Sequence, residues 1–350
     1  PLWLEKIKDS IRIEDLALKY KYTKENFVIN PIIGEYDVPK KQEQRLLTLP
    51  ISKEGNTLVY GASGSGKENF VTTLIYSSML YYSAKELNYY IVDYGSGSLN
   101  IFKDSSIVGD IVTPDDTDKL SNLFKLLQTN IDERKKLFQD YNGDYYNYCK
   151  NSGSTLPSII VIINNFEAFT ELSNKYEDIL NSITRDCNKY GIYFVILSNT
   201  PNGVRFKLKQ NFSLIYALSQ NNDDDFTTIL GNIYKTYPSK IFGRGIFKTD
   251  DVYEFQTCLV TEKDDIPRFI KAKCMEYRKN STVFANKIPM LPNCVTYNDI
   301  ATYLDSKNYI IGLNKENLEI KEYDFNKNAV SIITGTDINQ TENLVNPLIN

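Results

Sequence analysis

One stretch limits the fold more than any other: an apolar run from Thr57 to Tyr60, the loop Gly61-Ala62-Ser63-Gly64-Ser65-Gly66-Lys67-Glu68-Asn69, and apolar residues resuming at Phe70. Two glycines separated by four residues, the second followed by lysine, form the P-loop spacing. In it backbone N–H groups wrap phosphates and the lysine reaches the outer phosphate oxygens. Residues 61–69 are therefore the candidate nucleotide-binding set. The alternative is a glycine-rich turn that merely joins a strand to a helix. Where the motif needs Ser or Thr to hold Mg²⁺ through a hydroxyl, this chain has Glu68.

Beyond the loop the sequence alternates. Phe70, Val71, Leu74, Ile75, Ser78, Met79 and Tyr82 recur at helical spacing and predict a helix with one buried stripe, its N-terminus facing the loop where its dipole favours an anion. Residues 89–93 and 107–112 read as strands. Thr113 reads as the cap of a helix with Pro114 at its first position, and Asn142-Gly143 as its stop. Residues 158–163 are continuously apolar, as expected of a parallel strand covered on both faces. A helix from about 168 to 190 follows, then strands at 192–197, 213–218 and 252–260. The pattern predicts an α/β P-loop NTPase, a mostly parallel sheet with helices on both faces and the glycine loop at the carboxyl edge of the strands. Residues 1–50, with Pro31, Pro39 and Pro50, read as an entry linker with short strands.

Composition removes several chemistries. There is no histidine, so no His-dependent triad, general base or metal site. Cys149, Cys187, Cys258, Cys274 and Cys294 lie far apart without a C-x-x-C, which suggests neither zinc nor a disulfide framework and fits a reducing compartment. A net charge of −4 without a basic cluster argues against nucleic acid. The 26 tyrosines are spread evenly without basic interleaving, so they read as core and surface residues rather than stacking platforms. No apolar run reaches the roughly 18 residues of a membrane span, so no direct membrane contact is expected.

A weak repeat divides the chain. Pro1 to Leu4, Glu14 to Ala17, Ile32 to Gly34 and Leu58 to Gly61 are echoed by Pro289 to Pro292, Asn298 to Ala301, Ile310 to Gly312 and Ile332 to Gly335. The second loop, Gly335 to Glu342, lacks the second glycine and the lysine. The expected organisation is a linker at 1–50, a P-loop module at 51–285, an inter-module linker at 286–326 and the start of a more eroded module at 327–350. The sequence reads as a piece of a longer chain.

The P-loop module, the tract from Tyr90 to Gly95 with Leu99, and the segment from Gly191 to Pro201 are similar to the FtsK/SpoIIIE class of ring-forming translocase ATPases. The two Pro- and Leu-bearing lead-ins and Gly243-Arg244-Gly245 resemble more closely the type VII secretion ATPases of Gram-positive bacteria, EssC or EccC. The resemblance implies one membrane-anchored chain with several ATPase modules, working at the cytoplasmic side of the bacterial plasma membrane. It implies export of small helical proteins and contact with other modules and copies of the same chain. This piece would be the second module, with ATP as cofactor and the need for Mg²⁺ open.

Within that family a working site carries Asp-Glu after the strand at 159–163, the Asp holding Mg²⁺ and the Glu polarising water; here stand Asn164 and Asn165. An amide can neither take the proton nor charge the metal site. No catalytic residue is assigned with both acids replaced. Glu167 shares a face with Asn165 if the strand continues and is the weak candidate for the missing acid, the other role being the first turn of the next helix. Asn199 stands where the family senses the γ-phosphate with Gln. Arg185 aligns with a ring-interface arginine, or is a solvated surface group. Glu68 either ligates Mg²⁺, adds like charge beside the phosphates, or turns outward to solvent or a basic neighbour. Asp93 is a supporting group or a cap, and Asp223 to Asp225 a cation-ligating run or a solvated turn or helix start. Three functions follow: a nucleotide-binding module with little or no hydrolysis, an ATPase completed by neighbouring subunits, and a nucleotide-free protein-binding module.

Overall fold

Every residue of Leu87–Asp93, Ser158–Asn164 and Ile192–Ser198 is buried, as strands covered by helices on both faces must be. The computed structural model describes residues 5–261, 265–292, 309–314, 319–324, 327, 332–334, 338 and 342. Its strands β1 (Ile32–Val38), β2 (Glu43–Thr48), β3 (Thr57–Tyr60), β4 (Leu87–Asp93), β5 (Val108–Val112), β6 (Ser158–Asn164), β7 (Ile192–Ser198), β8 (Leu214–Leu218), β9 (Arg244–Lys248) and β10 (Val252–Thr257) form one sheet. The order is β2-β1-β10-β9-β8-β3-β7-β6-β4-β5. From β8 to β5 all pairs are parallel, and from β8 to β2 all are antiparallel. The sheet is therefore mostly parallel, as the alternation predicts.

Two expectations are corrected at the antiparallel end. The segment before residue 51 is not only a linker, since β1 and β2 are strands of the same sheet as the glycine loop. The run at 252–260 is not a further parallel strand but pairs antiparallel with β9 and β1. β1 lies so close to β10 that a Cβ at Gly34 would sit 1.9 Å from the Gln256 carbonyl oxygen, which is why glycine stands there. Buried Arg244 ties the amino-terminal segment to this region, donating to Gln256 Oε1 (2.8 Å), the Ile7 carbonyl (3.1 Å) and Asp9 Oδ1 (3.1 Å).

The helix Lys67–Tyr81 also differs from its predicted single stripe, because every residue from Asn69 to Met79 is buried. Its polar side chains are satisfied: Thr73 Oγ1 and Asn69 Nδ2 donate to the Cys258 carbonyl, and Ser77 Oγ accepts from Ile32 N. Thr113 caps no helix. Its N–H and hydroxyl donate to Asp116 Oδ2, forming a turn that holds Pro114, and the helix Thr117–Leu137 starts afterwards. The single helix expected over 168–190 is broken into Phe166–Leu172 and Glu177–Asp186 with short 3₁₀ turns. The break is at Ser173, whose backbone leaves helical geometry (φ −138°, ψ 37°) and whose hydroxyl meets Tyr94 OH at 3.1 Å.

The described residues of 1–117 and 128–287 form one compact unit. A second comprises the described residues of 118–127 and 288–350, in which Asn122 Nδ2 donates to the Pro289 carbonyl (2.7 Å) and Tyr309–Leu313 pairs antiparallel with Ile320–Tyr323. The echoes at 298–301 and most of the second loop at 335–342 lie outside the described residues, as does Cys294.

Candidate nucleotide-binding site

β3 ends between two neighbours, and their ends fix the start of the loop: Gly61 N donates to the Ser198 carbonyl (3.1 Å) and Ala62 N to the Ser219 carbonyl (2.8 Å). Gly64 (φ +75°) and Gly66 (φ +102°) then take left-handed backbone that disfavours a side chain. Gly66 is the N-cap of the helix Lys67–Tyr81, with no side-chain cap. The first-turn N–H groups therefore lack intrahelical acceptors and face the loop. The space beside Gly64 is open. Lys67 Nζ folds back onto the carbonyls of Gly61 and Ala62. Burial pushes its pKa below the ordinary lysine value, partly offset by the carboxylates of Glu167 and Glu68.

Glu68 meets hydroxyl groups rather than a basic neighbour, while its charge remains beside Lys67. Its carboxylate crosses to the loop after β4, accepting from Ser96 Oγ (3.0 and 3.2 Å) and Ser98 Oγ (2.8 Å). Asn164, at the end of β6 and 3 % exposed, donates its amide to Asp93 Oδ1 (2.8 Å) and towards Glu68 Oε1 (3.4 Å). Asp93 is buried and also accepts from Gly95 N and Leu99 N (both 3.1 Å), so it shapes the same loop. A neutral pair of N–H groups thus stands between two carboxylates.

The strand does not continue past Asn164, so Glu167 is not brought onto a shared strand face with Asn165. Asn165 turns left-handed (φ +61°), accepts from Ala168 N, and starts the helix Phe166–Leu172 with Glu167 in its first turn. Asn165 Nδ2 donates to the Tyr94 carbonyl and Asn199 Nδ2 to Asn165 Oδ1 (3.2 Å), so Asn199 is at the site and engaged with protein. Glu167 Oε1 accepts from Ser198 Oγ (2.7 Å), Asn199 N (2.7 Å) and both N and Oγ1 of Thr200 (3.0 and 3.3 Å). Its Oε2 is buried without a hydrogen-bond partner, as are Ser65 Oγ inside the loop and the hydroxyl of Tyr60. Burial, with Glu167 adding to it, pushes the Tyr60 phenol upward.

Together these ends enclose a cleft of about 350 Å³ lined by Ser63, Gly64, Gly66 and Lys67 on one side and Asn164, Asn165 and Asn199 on the other. Within the loop Ser65 is buried, and the Ala62 carbonyl accepts from Ser65 N (3.2 Å) and Lys67 Nζ (2.9 Å). Arg185 is away from it, exposed and paired with Asp186 (3.3 Å). Asp223 to Asp225 begin the helix Asp223–Leu230 in a capping box with Asn222. Burial pushes the thiols of Cys187, Cys258 and Cys274 up, so none is a ready nucleophile. Ser96, Ser98 and Phe242 were not singled out from sequence. The small-residue tract Gly95-Ser96-Gly97-Ser98 directly after a strand was the available signal for the first two.

The donor set fits polyphosphate: an uncapped helix start, two left-handed glycines, open space beside Gly64 and a buried lysine. It does not fit a resident Mg²⁺. Glu68 is committed to two serines, and the Asn164 amide presents N–H rather than charge.

Residues 17–166 match the model of the FtsK/SpoIIIE family. The type VII secretion system protein EssC of Staphylococcus aureus (strain MRSA252) is 23% identical over 368 residues, covering 98% of this chain and 24% of its own length. The ESX secretion system protein YukB of Bacillus subtilis is 27% identical over 310 residues, covering 85% and 21%. The chain thus spans about a quarter of these relatives. Among solved structures, EssC (ATPases 2 and 3) of Geobacillus thermodenitrificans superposes with a TM-score of 0.82 at 23% identity, over 93% of this chain and 63% of that one. EccC (ATPases 2 and 3) of Thermomonospora curvata in complex with a signal sequence peptide gives 0.70 at 21%, over 93% and 60%. The pCW3 conjugation coupling protein TcpA with ATPgS gives 0.59 at 20%, over 78% and 75%. The chain carries an FtsK/SpoIIIE domain with the P-loop NTPase fold and is homologous to the secretion proteins EssC and YukB.

Proposed function

We propose that this chain is a cytoplasmic module of a type VII secretion motor that holds ATP through its phosphates with little or no hydrolysis, acting in assembly, regulation or substrate recognition. One observation carries the proposal. The phosphate-facing half of the site is open, while the positions for metal and water chemistry are closed by Asn164 between Asp93 and Glu68. In this reading residues 286–326 link to a further module begun at 327–350, and its partners are neighbouring modules, other copies and small helical secreted proteins. The solved EccC with its signal sequence peptide supports the last of these by likeness.

Lys67→Ala is expected to weaken ATP about thirtyfold in calorimetry, the loss of a charge-assisted contact, while the parent chain releases no phosphate even within the longer protein. Absence of ATP binding in the parent would overturn the proposal. The unpaired Oε2 of Glu167 favours a second reading, a competent ATPase completed by that carboxylate. Phosphate release that disappears in Glu167→Gln would establish it instead.

A further inference from the structure

Inside the phosphate loop the Ser65 carbonyl accepts from Gly243 N (3.0 Å), so the segment ahead of β9 fixes one wall of the loop. Gly243 is held in turn. Its carbonyl accepts from Thr257 N (2.9 Å), and Gln256 Nε2 donates to the neighbouring Phe242 carbonyl (2.9 Å). The other end of that Gln256 amide, Oε1, accepts from Arg244 Nε (2.8 Å). Arg244 is 4 % exposed, and its Nη2 reaches the amino-terminal segment at the carbonyls of Ile7 (3.1 Å) and Lys8 (3.4 Å) and at Asp9 Oδ1 (3.1 Å). Its Nη1 lies 3.6 Å from Glu254 Oε1. A second line runs alongside: Leu259 N donates to the Ile11 carbonyl (2.8 Å), while the Cys258 carbonyl accepts from Asn69 Nδ2 and Thr73 Oγ1 of the helix after the loop. Residues 7–11 thus meet the phosphate loop and its helix through one stretch, 256–259.

A guanidinium is a rigid planar fork, so the bonds on its Nε and its Nη2 cannot change independently. With the side chain buried, loss of the acceptors at residues 7–9 leaves a charged donor short of partners where water does not reach. That state is costly and favours turning the whole fork. Turning it breaks the bond to Gln256 Oε1, and the Gln256 amide then loses its hold on the Phe242 carbonyl, next to the nitrogen that grips Ser65. We infer that Arg244 is a positioning residue for the phosphate loop, through which docking of residues 7–9 raises the loop's affinity for polyphosphate. The ligand in this inference rests on the phosphate-cradle reading above; the positioning of the loop does not. Coupling of this kind is reciprocal, so a bound polyphosphate also tightens residues 7–9.

The test compares the parent with three variants. Asp9→Ala removes a side chain that is 71 % exposed and carries little of the fold, Arg244→Lys keeps the charge and loses the fork, and Lys6→Ala alters an exposed residue outside these contacts. Hydrogen exchange across 61–69 is measured with unfolding midpoints and with calorimetry of ATP and inorganic tripolyphosphate. Exchange across 61–69 quickens about threefold in Asp9→Ala and about tenfold in Arg244→Lys. Both ligands weaken by the same factors. Asp9→Ala keeps the parent's midpoint, and Lys6→Ala matches the parent throughout. Adding Asp9→Ala to Arg244→Lys changes nothing further, because both act through one contact. ATP slows exchange of residues 5–12 in the parent but not in Arg244→Lys. Unchanged exchange at 61–69 in Asp9→Ala and Arg244→Lys overturns the inference, as does quickening spread evenly over the sheet, or an ATP affinity untouched while 61–69 quickens. If the parent binds neither ligand, the phosphate-cradle reading fails by itself, and exchange at 61–69 still decides the positioning role.

Discussion

Asn164→Asp is expected to cost the fold about 4 kcal/mol at neutral pH, with part of the loss recovered on adding a divalent cation. The residue is 3 % exposed, and its amide nitrogen is 2.8 Å from Asp93 Oδ1 and 3.4 Å from Glu68 Oε1. The substitution removes a donor that the two carboxylates share and adds a third negative group where little water can reach. Acid relieves this cluster, because three crowded carboxyl groups can share a proton. The folded variant then binds more protons than its unfolded chain, so the loss is smaller near about pH 5 and grows as pH rises. Urea unfolding at both pH values, with and without MgCl₂ or CaCl₂, measures each part. An unchanged midpoint would mean that Asn164 does not separate these carboxylates.

Gly66→Ala is expected to cost about 3 kcal/mol and to abolish ATP binding, whereas Gly64→Ala costs about 1 kcal/mol. Both glycines have positive φ, so both substitutions incur backbone strain. Only at Gly66 is there also a collision, a Cβ there lying 2.8 Å from Gly243 N and 2.9 Å from Gly243 Cα. Backbone cannot move aside without losing the Gly243 N to Ser65 O bond, which holds the loop against the segment carrying Phe242. Unfolding curves and ATP titrations of the two variants separate strain from collision. Equal effects would show that the 66–243 contact is dispensable.

What was legible in the sequence is local. The loop from Gly61 to Lys67, its strand and its helix lie within 25 residues, and glycine spacing with apolar periodicity specifies them. The strand ending in Asn164 was legible because a run apolar on both faces has few other uses. The partners of Glu68 were not legible. Ser96 and Ser98 are 28 and 30 residues away, brought in by the crossover from β3 to β4. Phe242 reaches the loop only through the hairpin of β9 and β10, whose antiparallel pairing the apolar pattern of 252–260 did not distinguish from parallel. The helix break at Ser173 depends on a tyrosine from β4's following loop, a tertiary contact overriding helical periodicity.

Whether this site keeps phosphate binding without metal chemistry is tested most directly by the affinity for ATP in excess Mg²⁺ and in excess EDTA, with phosphate release followed in the same samples. The structure predicts binding in both, with Kd values within about twofold of each other and no phosphate released, since a ligand that gains nothing from the metal shows no linkage to it. An affinity that rises about tenfold or more with Mg²⁺ and is accompanied by turnover would contradict it.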